Sequence, residues 1–130
     1  MEILQPPGWP RPKGYSNGIA VSGRQVFVSG MIGWDAEGRF QTDDFVGQAR
    51  QALANIVAVL REAGAGPEHI VRMTWYVLDR REYLEAGAAL GAAYRDVIGR
   101  HYPTKSAVQV AGVMEERARG EIEVTAVVPE

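Results

Sequence analysis

The chain has 130 residues, 46% hydrophobic and 23% charged, with a formal net charge of −2 and no cysteine. That size and composition fit one soluble domain around a single core. The charge offers no basic attraction to nucleic acid or to an anionic membrane, and the missing thiols exclude disulfides, thiolate metal sites and cysteine nucleophiles.

Residues 1–13 hold four of the seven prolines, Pro6, Pro7, Pro10 and Pro12, and read as an extended arm rather than an element. The segment has no apolar core of a signal peptide, and no apolar run in the chain would span a bilayer; a cytoplasmic location is expected. A single domain is expected over residues 14–130. Gly18 to Gly30 reads as a β-hairpin, with Ile19-Ala20-Val21-Ser22 and Gln25-Val26-Phe27-Val28-Ser29 flanking Gly23-Arg24. A two-residue loop opening on Gly suits a type II′ turn. Met31-Ile32-Gly33-Trp34 continues as a short apolar run, and Asp35-Ala36-Glu37-Gly38 is a turn.

Asp43-Asp44 supplies a helix cap and two negative charges. Phe45, Ala49, Ala52, Leu53, Ile56, Leu60 and Ala63 then recur at helical spacing, with Gln48, Gln51, Asn55 and Glu62 off that face. Gly64 suits a left-handed cap, and Gly66-Pro67 blocks continuation. Ile70 to Leu78 alternates as a strand. Val71, Met73, Trp75 and Val77 make an apolar face for the helices; Ile70, Arg72, Thr74, Tyr76 and Leu78 make a mixed one. Arg81 to Ile98 is a second helix, with Tyr83, Ala86, Leu90, Ala93, Tyr94 and Val97 inward. Gly87-x-x-x-Gly91 on it reads as a site of close helix packing, since its charges rule out a membrane pair. Ser106 to Val110 and Glu121 to Val128 are the last strands, joined by a charged, solvated loop, Ala111 to Gly120.

Two long helices separated by one strand need a crossover. An α+β mixed sheet with two helices packed on one face is the natural solution. The other face would be covered by oligomerising.

Pro103-Thr104-Lys105-Ser106 concentrates the chemistry. Pro103 forces an extended backbone before it, and Lys105 sits at the mouth of a strand that can aim its ammonium into a cleft. His69 and His101 have no metal-ligand spacing, Ser29 has no triad partners, and the glycines form no phosphate loop.

Gly14-Tyr15-Ser16, Val28-Ser29-Gly30, Gln48 through Asn55 with Ala63-Gly64-Ala65, Pro103-Thr104-Lys105-Ser106 and Gly120-Glu121-Ile122-Glu123 occur in that order. In order and spacing they resemble the Rid family (RidA/YjgF, reactive intermediate deaminases) over residues 14–128. The resemblance implies a chorismate-mutase-like fold and a homotrimer with a central barrel and clefts between subunits. It also implies cofactor-independent hydrolysis of small enamines and imines to a keto acid and ammonia.

Carried over by motif position, Glu121 is the catalytic acid–base group and Lys105 the holder of the substrate carboxylate. Backbone groups at Ser106 and Ala107 would bind the substrate, and Tyr15, Ser29, Met31 and Trp34 are candidate walls. Deaminase members of the family carry Arg where this chain has Lys105. An ammonium is a point charge, whereas a guanidinium is a two-pronged donor. Met31 also stands where many relatives have Gln. The expected partner is a small carboxylate, with no nucleic acid, no membrane, no metal and no cofactor. The alternative is a non-catalytic trimer that binds a carboxylate metabolite or a protein partner. RNA cleavage is disfavoured by the acidic balance and the lack of a basic aromatic stripe.

Overall fold

The computed structural model describes residues 1–130. Its main sheet has four strands in the order β3 (Arg24–Met31), β6 (Gly120–Val128), β4 (Ile70–Val77) and β5 (Thr104–Gln109). A separate short pair joins β1 (Glu2–Leu4) to β2 (Gly18–Ala20). In the main sheet β6 is antiparallel to both neighbours, while β4 and β5 are parallel. A parallel pair cannot be closed by a tight turn. The chain crosses instead through α2 (Arg80–Glu85) and α3 (Gly87–Val97), which share one face of the sheet with α1 (Phe45–Glu62). This is the α+β architecture expected, a mixed sheet with its helices on one face, but with three helices rather than two.

The sequence sets α1 directly. Asp44 accepts a hydrogen bond from the Gly47 N–H at 2.8 Å. At the far end Gly64, at φ 70°, lets the Ala65 and Gly64 N–H groups reach the carbonyls of Leu60 and Arg61, both at 3.0 Å. The apolar face is buried against the sheet, with Leu53, Ile56 and Leu60 fully covered. Gln48 departs from the periodicity: it too is buried. Its amide donates to the carbonyls of Thr42 and Arg117 and accepts from the Arg119 N–H, at 3.1, 3.0 and 2.7 Å. A buried amide so satisfied costs little and fixes the loop before β6 to the helix. That loop is therefore anchored, and Arg117 and Arg119 add ion pairs to Asp43 at 2.7 Å and Glu82 at 2.6 Å.

Four local expectations are corrected. Gly18 to Gly30 is not a hairpin: β2 pairs with the N-terminal arm and β3 with β6. Gly23, at φ 147°, redirects the chain, and a Cβ there would lie 2.3 Å from the Val128 carbonyl oxygen. The arm is thus partly a strand. The helix expected over Arg81 to Ile98 is broken at Ala86 (φ −81°, ψ 3°), which separates α2 from α3. Ile70, placed on the mixed face by alternation, is fully buried. A bulge between Ile70 and Arg72 shifts the parity at the start of β4. The face of the sheet away from the helices leaves Phe27 70% and Val108 46% exposed.

Candidate functional site

β5 is an edge strand, and Lys105 lies in register with Met73, which is buried under the helices. Lys105 therefore projects to the helix side. Its Nζ donates to the Tyr83 hydroxyl at 2.6 Å and lies 4.5 Å from the centre of the Trp75 ring and 5.1 Å from that of Tyr83. An ammonium over aromatic faces gains about 0.5–2 kcal/mol. Tyr83 is itself set by edge-to-face contacts with Trp75 and Phe45, at 6.0 and 6.4 Å between ring centres. Asp79 caps α2 by accepting from the Arg81 and Glu82 N–H groups, which fixes the turn carrying Tyr83. Lys105 forms no ion pair with any acid of the chain. The cation is positioned without being neutralised.

The ammonium borders a cleft of about 360 Å³ between α2, α3 and the β4–β5 side of the sheet. Tyr94 and Tyr102, stacked at 5.8 Å, form part of its wall, and no carboxylate lines it. The Tyr94 hydroxyl donates to the His101 carbonyl at 2.6 Å, and burial pushes its pKa far above the usual phenol value. Gly87 and Gly91 complete the wall. They do not serve close helix packing, as the spacing had implied. A Cβ on Gly87 would meet nothing within 4 Å, and one on Gly91 would meet only the Arg95 side chain. The absent side chains are cleft volume.

Glu121 lies opposite Tyr76 on β4, and the alternate residues Ile122 and Val124 are buried. Its side chain therefore leaves by the open face. A bulge at Ser29-Gly30 seats it: a Cβ on Gly30 would come 2.1 Å from the Glu121 Oε2. Glu123 shares this face, but its carboxylate accepts from the Tyr76 hydroxyl at 2.6 Å. That bond, followed by burial, raises the Tyr76 pKa. Glu121 has no hydrogen-bond or ion-pair partner in the chain. Within one chain Lys105 and Glu121 thus lie on opposite faces of the sheet, as strand parity dictates.

Tyr15 and Ser106 join Lys105 around a second hollow of about 240 Å³, with Ser16, Thr104 and Arg72. Beyond the bridge from Ser16 to Thr104, the outer edge of β5 is unpaired, so alternate backbone groups near Ala107 face outward. Ser29 lines an open-face groove of about 400 Å³ with Arg72, Thr74 and Glu123. Met31 packs against the core. Trp34 packs on Phe40 at 6.1 Å, and its carbonyl accepts from Asn55 at 2.8 Å. Neither walls the Lys105 cleft. The sequence reading took Tyr83 and Tyr94 only as core residues and passed over Arg72, Arg95 and Tyr102. The usable signal was the small-residue face of α3, which removes side chains where Lys105 points. His69 and His101 are engaged locally, with Gly66 N–H and the Ile70 carbonyl. No group of three acidic or His side chains could hold a metal ion, and no helix is long and apolar enough to cross a membrane.

Comparison with known proteins follows the same lines. Residues 10–128 match the family described as Endoribonuclease L-PSP. A RutC family protein of Synechocystis sp. is 33% identical, covering 99% of this chain and 98% of its own. The 2-iminobutanoate/2-iminopropanoate deaminase of Capra hircus is 32% identical, covering 87% of this chain and 79% of its own. A crystal structure of a Yersinia pestis protein of unknown function from the conserved Rid family superposes with a TM-score of 0.85 at 28% identity, over 98% of both chains. With its fold and its five motifs in register, the chain belongs to the Rid (YjgF) family.

Proposed function

We propose that the protein is a cofactor-independent deaminase that hydrolyses a carboxylate-bearing imine or enamine to a keto acid and ammonia. The observation that carries this is Lys105: a cation fixed by Tyr83 and Trp75, with no acid to neutralise it, in an aromatic cleft. The goat relative's name, 2-iminobutanoate/2-iminopropanoate deaminase, supports the same class. The substrate carboxylate docks on Lys105. Water adds to the C=N carbon, and its proton passes to Glu121 and on to nitrogen. The hydroxyl proton of the carbinolamine passes to nitrogen, the C–N bond breaks, ammonia leaves and the carbonyl forms; an enamine enters the same sequence after protonation at carbon gives the imine. Unpaired Glu121 is the acid suited to this shuttle, since Glu123 is already bound to Tyr76.

Because Lys105 and Glu121 leave opposite faces of one sheet, the complete site requires a second copy of the chain. A homotrimer is the assembly proposed, with the open face bearing Phe27 and Val108 covered. A net charge of −2 gives no support to RNA cleavage. A second reading, a non-catalytic trimer binding a carboxylate metabolite or a protein partner, is favoured by one observation. The cation at the family's Arg position is a lysine, and its Nζ is already bound to a phenol.

An amino-acid oxidase can generate the imine in situ while ammonia release is followed against the unaided decay. Acceleration by native protein, lost in Glu121→Gln, supports the deaminase. Release at the buffer rate, with carboxylate binding retained, supports the second reading.

A further inference from the structure

The chain has two lysines, Lys13 and Lys105. Lys13 is exposed. Lys105 is half-buried, with its Nζ 2.6 Å from the Tyr83 hydroxyl and 4.5 Å from the centre of the Trp75 ring. A lysine amine attacks carbonyl groups from an apolar pocket or beside a second cation, when a neighbouring group can move protons. Lys105 has all three. Trp75, Leu84 and Leu90 line its cleft with no carboxylate among the lining residues, Arg95 lines it as well, and the Tyr83 hydroxyl touches the nitrogen. The acid next to Arg95, Asp96, is taken by Arg50 at 2.9 Å.

We propose that Lys105 is a covalent carbonyl-binding site, whose neutral amine condenses reversibly with an aldehyde that has a flat, apolar body. The ammonium first gives one proton to water. The Nζ lone pair then bonds to the carbonyl carbon, and the π pair moves to oxygen, which takes the Tyr83 hydroxyl proton. The nitrogen returns a proton to the Tyr83 oxygen, leaving a neutral carbinolamine. Its hydroxyl departs as water, with the Tyr83 proton, while the nitrogen pair forms C=N; Tyr83 regains a proton from solvent. The net change is one ammonium and one aldehyde to one iminium and one water, with no oxidant or reductant. The iminium is also a cation, so the Trp75 and Tyr83 rings that hold the ammonium hold it too. The cleft, about 360 Å³ and walled by Tyr94 and Tyr102, takes the aldehyde's body. Holding a carboxylate uses the ammonium and this condensation uses the amine, so the inference is independent of the deaminase reading.

The test incubates native protein with benzaldehyde and sodium cyanoborohydride at neutral pH. Hydride converts any iminium to a stable N-benzyl amine, and peptide mass spectrometry compares the two lysines. Simple access would make half-buried Lys105 the slower. With Tyr83 as acid and base, Lys105 should instead be labelled at least about tenfold faster than Lys13. Glycolaldehyde, small and polar, should show no such preference. Tyr83→Phe keeps the ring packed on Trp75 and Phe45 and removes only the hydroxyl. It should slow labelling of Lys105 by about tenfold or more and leave Lys13 unchanged. Benzaldehyde labelling of Lys105 no faster than that of Lys13 overturns the proposal. An equal preference with glycolaldehyde overturns the apolar guest, and native labelling of Lys105 in Tyr83→Phe overturns the role of the phenol.

Discussion

Gly30 and Glu121 compete for one volume. The Glu121 carboxylate occupies the space that a Cβ on residue 30 would need, with Oε2 2.1 Å from that position. The conflict is with the end of a flexible side chain, not with backbone. Gly30→Ala should therefore fold normally, with stability changed by no more than about 1 kcal/mol, while displacing the carboxylate. Thermal melting should be near native and ammonia release should fall toward that of Glu121→Gln. Native activity in Gly30→Ala would show that the position of Glu121 does not matter.

The Gly87 wall gives a way to fill the cleft without harming the protein. Nothing lies within 4 Å of a Cβ there, so a side chain at this first residue of α3 meets no neighbour. Gly87→Leu should melt near the native temperature and bind a small 2-keto acid at least about tenfold more weakly. Unchanged keto-acid affinity would place the ligand elsewhere.

Tyr76 provides a pH test on the open face. Its pKa is raised above the ordinary 10.0 because its hydroxyl donates to Glu123. For a phenol held protonated by folding, the stabilisation is fully present below the unfolded pKa and is lost as pH rises through the higher folded value. The stability difference between native protein and Tyr76→Phe should be constant from neutral pH to about 9 and shrink above about 10. Ultraviolet titration should show Tyr76 and Tyr94 ionising above the ordinary phenol value, with Tyr76→Phe removing one such phenol.

The shared site also requires assembly. Native protein should sediment near three times the 14.2 kDa of the chain. Phe27→Glu, at a residue 70% exposed on the open face of the edge strand β3, should dissociate it and abolish ammonia release. A native monomer at micromolar concentration would remove the shared site.

Periodicity located α1 and its caps because Asp44, the apolar face and Gly64 act locally. It misplaced Gln48 because that burial depends on Thr42, Arg117 and Arg119, which are remote or irregular partners. The strands around Gly23 were legible, but their partners were not: pairing with β1 or β6 is a long-range choice that a turn signal cannot express. At the candidate site, motif position singled out Lys105 and Glu121, while their opposite faces follow from register with Met73 and Tyr76. Gly87 and Gly91 were visible as small residues. Only the unfilled space beside them distinguishes a cleft wall from a packing seam.

The central claim is that the Lys105 ammonium, held by Tyr83 over Trp75, anchors the carboxylate of an imine undergoing hydrolysis. Ammonia release should be measured for native protein and Lys105→Ala with two imines, one bearing a carboxylate and one generated from an amine that lacks it. Misplacement of a reacting carbon by about an ångström costs on the order of a hundredfold. The account predicts a loss of that size in Lys105→Ala for the carboxylate-bearing imine, and no change for the other. Equal rates for native protein and Lys105→Ala with the carboxylate-bearing imine would contradict it.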